Sequence, residues 1–348
     1  MTPIVIAAAA VALATVLLAT PLMTRLAFKV GAVDYPDERK VHKKALPRLG
    51  GLAIFLAFLC GTLVLGNVDA QKFALLLACA VIVLMGCLDD TTSLSPAVKL
   101  SFQVLAALLL VQSGVYVEHL TNPLSGGTFP LGVFGIPLTI VWLVGVSNAV
   151  NLIDGLDGLA AGVSAISSCT IAAISFLSGN FHTAGMAVVL VAASAGFLRY
   201  NFPPARIFMG DSGALFLGFV LAAFSIMGLA KGATVISVFV PVLILSFPIF
   251  DTFFAVVRRF RARRPVLQAD RGHLHHRLLD MGLSTRRTVL ALYAATFLMG
   301  LAAILVSLLA APHAVVILMA VAALVLHGAN RMGIMRRGET KKPQKDRS

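Results

Sequence analysis

Long apolar runs, cut by short polar stretches, set the pattern of this chain from its first residues almost to its end. Eleven runs stand out, at about 3–24, 50–66, 73–88, 97–113, 136–153, 159–178, 183–199, 212–229, 234–252, 289–309 and 313–328. Most approach the roughly 20 residues that an α-helix needs to cross a bilayer. The pattern predicts an all-α, polytopic integral membrane protein with about eleven transmembrane helices. Residues 1–330 form one membrane domain whose cytoplasmic loops carry the chemistry, and residues 331–348 form a basic cytoplasmic tail. The segment 114–135, rich in Pro, Gly, Ser and Asn, predicts an irregular stretch or a hairpin.

Composition agrees with this class. Of the 348 residues, 59% are hydrophobic and 12% charged, and the mean hydropathy is +0.93. These values exclude an ordinary soluble domain. The first run has no Lys or Arg before it, so it lacks the basic start of a cleaved signal peptide and reads as a retained span with its N-terminus outside. An odd number of spans then puts the C-terminus in the cytoplasm. Of the 28 Lys and Arg, only Lys72 and Lys231 fall in loops assigned outside, as the positive-inside rule requires. Membrane orientation and anionic headgroups account for the net charge of +13 without nucleic acid. Cys60, Cys79, Cys87 and Cys169 lie in or beside apolar runs without ligand spacing and read as small hydrophobes.

The acidic residues sharpen the picture. Six of the fifteen Asp and Glu sit at cytoplasmic ends of predicted spans: Asp89, Asp90, Asp154, Asp157, Asp211 and Asp251. Carboxylates near hydrocarbon are expensive and usually mark a site. Several at one depth in a basic protein suggest a bound divalent cation, Mg²⁺ or Mn²⁺. The densest polar stretch is 148–158. Asn148 and Asn151 share a helical face by their spacing, Asp154 and Asp157 repeat it, and Gly155 and Gly158 free the backbone for close approach to a ligand. A polar loop joining two spans is the plainer alternative. Asp89 and Asp90 repel unless a cation is near, and Lys99, about a turn into the next helix, is placed to supply one. Simple solvation of a helix end stays open for that pair.

Gly210-Asp211-Ser212-Gly213 puts an acid and a hydroxyl at a helix N-terminus, where they serve a cap, a phosphate or a metal. The first inner loop holds Arg39, His42, Lys43, Pro47, Arg48, Gly50 and Gly51, and orientation alone explains its charge but not its Pro and Gly. In the last inner loop, Arg258, Arg259, Arg261, Arg263 and Arg264 precede His273, His275, His276 and Arg277. The histidines lack the Cys or Glu that would complete a zinc site, so an anion-binding His/Arg cluster is the expectation.

Five motifs, in order, carry a resemblance: Arg39-Lys40-Val41-His42 with Pro47-Arg48-Leu49-Gly50-Gly51, then Leu88-Asp89-Asp90, the stretch 148–158, Met209-Gly210-Asp211-Ser212-Gly213, and His273-Leu274-His275-His276-Arg277. Together they resemble the polyprenyl-phosphate N-acetylhexosamine-1-phosphate transferases. That family includes the phospho-MurNAc-pentapeptide translocase of peptidoglycan synthesis and the GlcNAc-1-phosphate transferases that begin O-antigen, enterobacterial common antigen and teichoic-acid linkage units. The forms of the first and last motifs are closer to the GlcNAc-1-phosphate branch. Ala214 departs from the pattern, where Ser is expected.

The resemblance implies transfer of a sugar 1-phosphate, GlcNAc-1-phosphate by branch, from a UDP-sugar to undecaprenyl phosphate, with release of UMP. It implies a Mg²⁺ (or Mn²⁺) cofactor held by Asp211, Asp90 and Asn151. Asp89, Asp90 and Asp211 are then the catalytic candidates. Arg39, His42, Lys43, Arg48, Lys99, Asn148, Asn151, Asp154, Asp157, His273, His275, His276 and Arg277 are the substrate-binding ones. The expected partners are the UDP-sugar, the polyprenyl phosphate and the membrane, with a homodimer left open and the bacterial cytoplasmic (inner) membrane as location. A MurNAc-pentapeptide enzyme and a QuiNAc- or FucNAc-specific relative are the near alternatives. An aromatic prenyltransferase would call for two Asp-rich motifs of the Asp-x-x-x-Asp kind, and Asp89-Asp90-Thr91-Thr92-Ser93 lacks the second half. An ion-coupled transporter would place its acids near mid-membrane, whereas these lie at helix ends.

Overall fold

The computed structural model describes residues 3–35, 45–121, 127–229, 239–261 and 272–331. Arg39, His42 and Lys43, Lys231, the arginine-loop stretch 262–271 and the basic tail after Arg331 lie outside the described residues. The helices are α1 (Pro3–Val30), α2 (Gly50–Val64), α3 (Ala70–Thr92), α4 (Pro96–Gln112), α5 (Gly135–Ile153), α6 (Leu159–Leu177) and α7 (Phe181–Asn201). They continue with α8 (Gly210–Leu229), α9 (Phe239–Ile244), α10 (Ser246–Arg261), α11 (Leu274–Asp280), α12 (Thr285–Leu308) and α13 (Ala311–Arg331). A 3₁₀ turn (Gly132–Phe134) precedes α5, and two short antiparallel ladders complete the set among the described residues. β1 (Val33–Asp34) pairs with β2 (Leu46–Pro47), and β3 (His119–Thr121) pairs with β4 (Thr128–Pro130), a hairpin within the segment predicted to hold one.

Ten of the expected runs coincide with one continuous helix each. Among the described residues, eight helices are long and apolar enough to cross a membrane. The other two, α2 and α4, have only 15 and 17 residues, about 22–26 Å of helix against a hydrocarbon core of ~30 Å. The exception is the run at 234–252, where the chain breaks at Leu245 between α9 and α10. Pro248 explains it, because proline has no N–H to give to the carbonyl four residues back. That carbonyl, Ile244 O, instead accepts from the Ser167 hydroxyl of α6 at 3.0 Å.

Helix starts are marked locally. The Asp69 side chain accepts from Lys72 N to cap α3, Ser95 caps α4 with Pro96 following, Asn180 caps α7 and Ser284 caps α12. The helix α8 is the centre of the bundle. Its apolar window is 89% buried, against 11% for α13. Phe216 and Phe224 of α8 pack on Phe58 of α2 at ring-centroid distances of 5.7 and 6.1 Å. α2, α3, α5 and α6 all pack against α8. Its N-terminus is therefore held from several sides, and that end carries the polar chemistry.

Candidate active site

Asp89 and Asp90 end α3 and, being adjacent, point about 100° apart around the helix. Asp89 turns to α4. Its Oδ2 lies 2.5 Å from Lys99 Nζ, and its Oδ1 accepts from Leu94 N at 2.7 Å. Asp90 turns to α8, where Oδ1 accepts from Asp211 N at 3.0 Å and Oδ2 accepts from Ser212 N and Ser212 Oγ at 3.2 and 3.0 Å. One carboxylate thus caps a helix N-terminus that begins 120 residues later in the chain. Lys99 Nζ also donates to Asp211 Oδ2 at 2.9 Å, so one ammonium bridges two carboxylates. The Asn151 carboxamide is within bonding reach of the same Asp211 side chain.

The backbone around this cluster is exceptionally close. Gly210 sits at φ +73°, and a Cβ there would lie 2.1 Å from Arg48 O and 2.4 Å from Asp90 Oδ2. Gly50 N and Gly51 N donate to Phe208 O and Met209 O at 3.0 and 2.8 Å. The Pro47–Gly51 motif therefore runs beside the residues leading into α8. Arg48 lies close enough to Asp90 and Asp154 to act on both charges.

The four residues expected from 148–158 divide. Asn151 joins Asp211. Asn148 instead faces α4, donating from Nδ2 to Gln103 Oε1 at 2.6 Å and to Val144 O at 2.8 Å. Asp157 accepts from Ala205 N at 2.8 Å and anchors the turn before α8. Asp154 follows the end of α5, half-buried, and burial, then the charge of Asp211, raises its carboxyl well above the ordinary range. Gly158 takes φ +75°, donates to Asn201 Oδ1 at 3.0 Å, and its carbonyl accepts from the Tyr293 hydroxyl. Gln103, Asn201 and Tyr293 were not among the sequence candidates. No local signal marks them, because their partners lie 45, 43 and 135 residues away.

The histidine motif packs onto the same turn. A Cβ on Gly155 would lie 2.7 Å from His275 Nε2. His273 and His275 stack with centroids 5.6 Å apart and planes at 9°, and His276 lies 4.3 Å from His275. Arg277 Nε donates to Gly272 O at 3.3 Å. Among the described residues, no group of three His, Cys, Asp or Glu is arranged to cage a metal.

His275 is 1% exposed, and neither ring nitrogen has a hydrogen-bond partner. Burial, then the neighbouring His276, pushes its imidazole down to about 4. Once unfolded, it binds its proton from about pH 6.5 downward. Between about pH 6.5 and 4 the unfolded chain therefore holds more protons, and this stability contribution is lost as pH falls. Thermal denaturation of the purified protein should show a loss on the order of 3 kcal/mol by pH 4 that His275→Leu lacks. Identical pH dependence in the two proteins would contradict a neutral, buried His275.

Residues 72–229 match the family model for glycosyl transferase family 4. A probable undecaprenyl-phosphate N-acetylglucosaminyl 1-phosphate transferase of Bacillus subtilis (strain 168) is 44% identical over 301 residues, 86% of this chain and 84% of that one. The chain belongs to glycosyl transferase family 4. A decaprenyl-phosphate N-acetylglucosaminephosphotransferase of Mycobacterium tuberculosis is 40% identical, covering 79% of this chain and 76% of its own. An undecaprenyl-phosphate alpha-N-acetylglucosaminyl 1-phosphate transferase of Escherichia coli K12 is 30% identical, covering 76% of this chain and 73% of its own.

In this family 4 member, the matched segment holds Asp89, Asp90, Lys99, Asn151, Asp154 and Asp211, while Arg48 and the histidine motif lie outside it. The fold brings both back to the same end of α8. A cavity of about 640 Å³ opens at the opposite helix ends, lined by Ile4, Asp69, Lys72, Asn180 and Phe181 among others. It contains none of the predicted site residues.

Proposed function

We propose that this chain transfers N-acetylglucosamine 1-phosphate from UDP-N-acetylglucosamine to a polyprenyl phosphate, releasing UMP, at the cytoplasmic face of a bacterial inner membrane. The observation that carries the reading is the Asp89–Lys99–Asp211–Asn151 cluster at the ends of apolar helices, in a chain 44% identical to the Bacillus subtilis relative. One substrate is soluble and the other is embedded in lipid, so the reaction belongs where apolar helices end in polar loops. Attack of a lipid phosphate oxygen on the β-phosphorus forms the new P–O bond and breaks the bond to UMP. Such a displacement calls for positioning and charge neutralisation more than covalent help from the protein.

The residues fit a magnesium ion. Asp211 and Asn151 offer the oxygen-only donor set that Mg²⁺ prefers, completed by substrate phosphates and water. Two carboxylates brought onto one ammonium also mark a place that takes positive charge. Asp211 and Asn151 would hold the ion, which when bound neutralises the diphosphate. Asp90 presents Asp211 by capping α8. Lys99 supplies the cation that a phosphate meets between Asp89 and Asp211. Asp89 orients the lipid phosphate through that ammonium. His273, His276, Arg277 and Arg48 lie on the nucleotide-sugar side.

Purified protein incubated with undecaprenyl phosphate, Mg²⁺ and radiolabelled UDP-sugars is expected to release UMP and form a GlcNAc-bearing lipid diphosphate. No lipid product from any UDP-sugar would overturn the reading. Asp89→Asn should lower kcat about 100-fold and leave the KM for the UDP-sugar within about threefold, because it removes a contribution made in the transition state. A raised KM with unchanged kcat would place Asp89 on the nucleotide instead.

A further inference from the structure

Asp251 belongs to none of the contacts assigned above, although it is 6% exposed on the polar side of the bundle. It sits on α10, one and a half turns from the helix start. Its two oxygens serve two donors of the histidine motif. Oδ1 accepts from Leu274 N at 2.7 Å, the first residue of α11. Oδ2 lies 2.8 Å from His273 Nδ1. His273 occupies the N-cap position of α11 and makes no side-chain cap of its own. Asp251 therefore supplies the cap that the local sequence lacks, from another helix.

A carboxylate accepts and does not donate, so Nδ1 must carry the proton in this pair. The proton on Nδ1 fixes the neutral ring as the tautomer with a lone pair on Nε2. His273 itself is 5% exposed, and its ring stacks at 9° on His275, which rests on Gly155. The Asp251 carboxylate is thus the first member of a continuous contact. It runs through His273 and His275 to the turn at Asp154 and Gly155 that follows α5.

We propose that Asp251 is the positioning residue of the histidine motif, holding His273 in the Nδ1–H tautomer and pinning α11 against the active-site turn. Nε2 is then the ring atom presented to a ligand, as an acceptor when neutral and as a donor to phosphate when protonated. The ligand class, a nucleotide-sugar diphosphate, rests on the transferase reading. The tautomer and the docking of α11 do not. Asp251 touches no reacting atom in this scheme and acts through His273.

Asp251→Asn is a sharp test because it is isosteric. The amide oxygen still takes Leu274 N–H, so α11 keeps its cap, but the NH₂ now faces Nδ1. Only the opposite tautomer, with the proton on Nε2, pairs with it. The expected result is a fall in kcat of about 100-fold or more, with the KM for the UDP-sugar within about threefold. In a His273→Gln background, Asp251→Asn should cost nothing further, since both substitutions remove one function. Fully additive losses would show that Asp251 acts elsewhere and overturn the proposal.

The unmodified enzyme supplies a measurement that needs no variant to fold or turn over. In ¹⁵N-histidine-labelled protein, with the His273 signal identified by its disappearance in His273→Gln, the neutral ring should carry its proton on Nδ1 and leave Nε2 bare. An Nε2-protonated ring overturns the proposal. Absence of turnover in the unmodified enzyme would count against the transferase reading alone, and the ring spectrum would still decide the role of Asp251.

Discussion

Asp211→Asn should abolish turnover, by about 1,000-fold or more, while the protein remains folded and inserted. The separation of the two effects follows from how the residue is held. Asp90 caps α8 through the backbone N–H of residue 211 and through Ser212, and neither depends on the side chain at 211. The Asp211 carboxylate itself meets Lys99 and Asn151. Replacing it with an amide keeps the shape and removes a negative charge where the proposed mechanism needs a cation held. Lys99 keeps its pairing with Asp89, so the bundle loses one bond and no packing. The checks are UMP release across a Mg²⁺ titration and thermal denaturation of the same preparation. Turnover near the unmodified rate at ordinary Mg²⁺ would overturn the assignment, and a collapsed melting transition would show that the carboxylate is structural.

The second large effect needs no polar residue at all. Gly51→Ala and Gly86→Ala should each reduce turnover about 100-fold, because α2 and α3 both lean on the first turn of α8, backbone against backbone. A Cβ on Gly51 would lie 2.0 Å from Gly213 N and 2.3 Å from Gly213 Cα, and one on Gly86 would lie 2.3 Å from Ser212 Cα. Main chain gives way only by moving the helix. An added methyl group therefore displaces the turn that carries Asp211 and Ser212, and a shift of about 1 Å in a reacting group costs on the order of 100-fold. Overpacking should also lower stability by about 1–3 kcal/mol. Turnover of Gly86→Ala beside that of Ala78→Gly, a control within the same helix, reads the effect. Equal activity in both would show that the α8 N-terminus tolerates movement.

Asp90 shows where local reading stops. Its place beside Asp89 announces a charged helix end, and the divergence of neighbouring side chains follows from helix geometry alone. Which of the two faces Lys99 and which faces α8 depends on how three helices lie together, and the relevant partners are 121 and 122 residues away. The spacing of Asn148 and Asn151 likewise predicts a shared face. The structure splits them, since Gln103 on α4 takes Asn148 and Asp211 takes Asn151. Asp251 was legible as an acid at a span end, but its partners His273 and Leu274 lie beyond the arginine-rich stretch and no periodicity links them.

The amino-acid sequence by itself determined the class of the molecule and the position of nearly every helix, because burial in lipid demands long unbroken apolar runs and each run is a local property of the chain. It also determined which residues gather at one depth, since carboxylates are costly inside those runs and collect where the runs end. Only the tertiary structure decided the pairings: Lys99 between Asp89 and Asp211, Asp90 on the α8 N-terminus, Asp251 on His273. Those contacts join side chains from different helices, and their geometry is set by how closely the glycine faces of α2, α3 and α8 allow the backbones to approach.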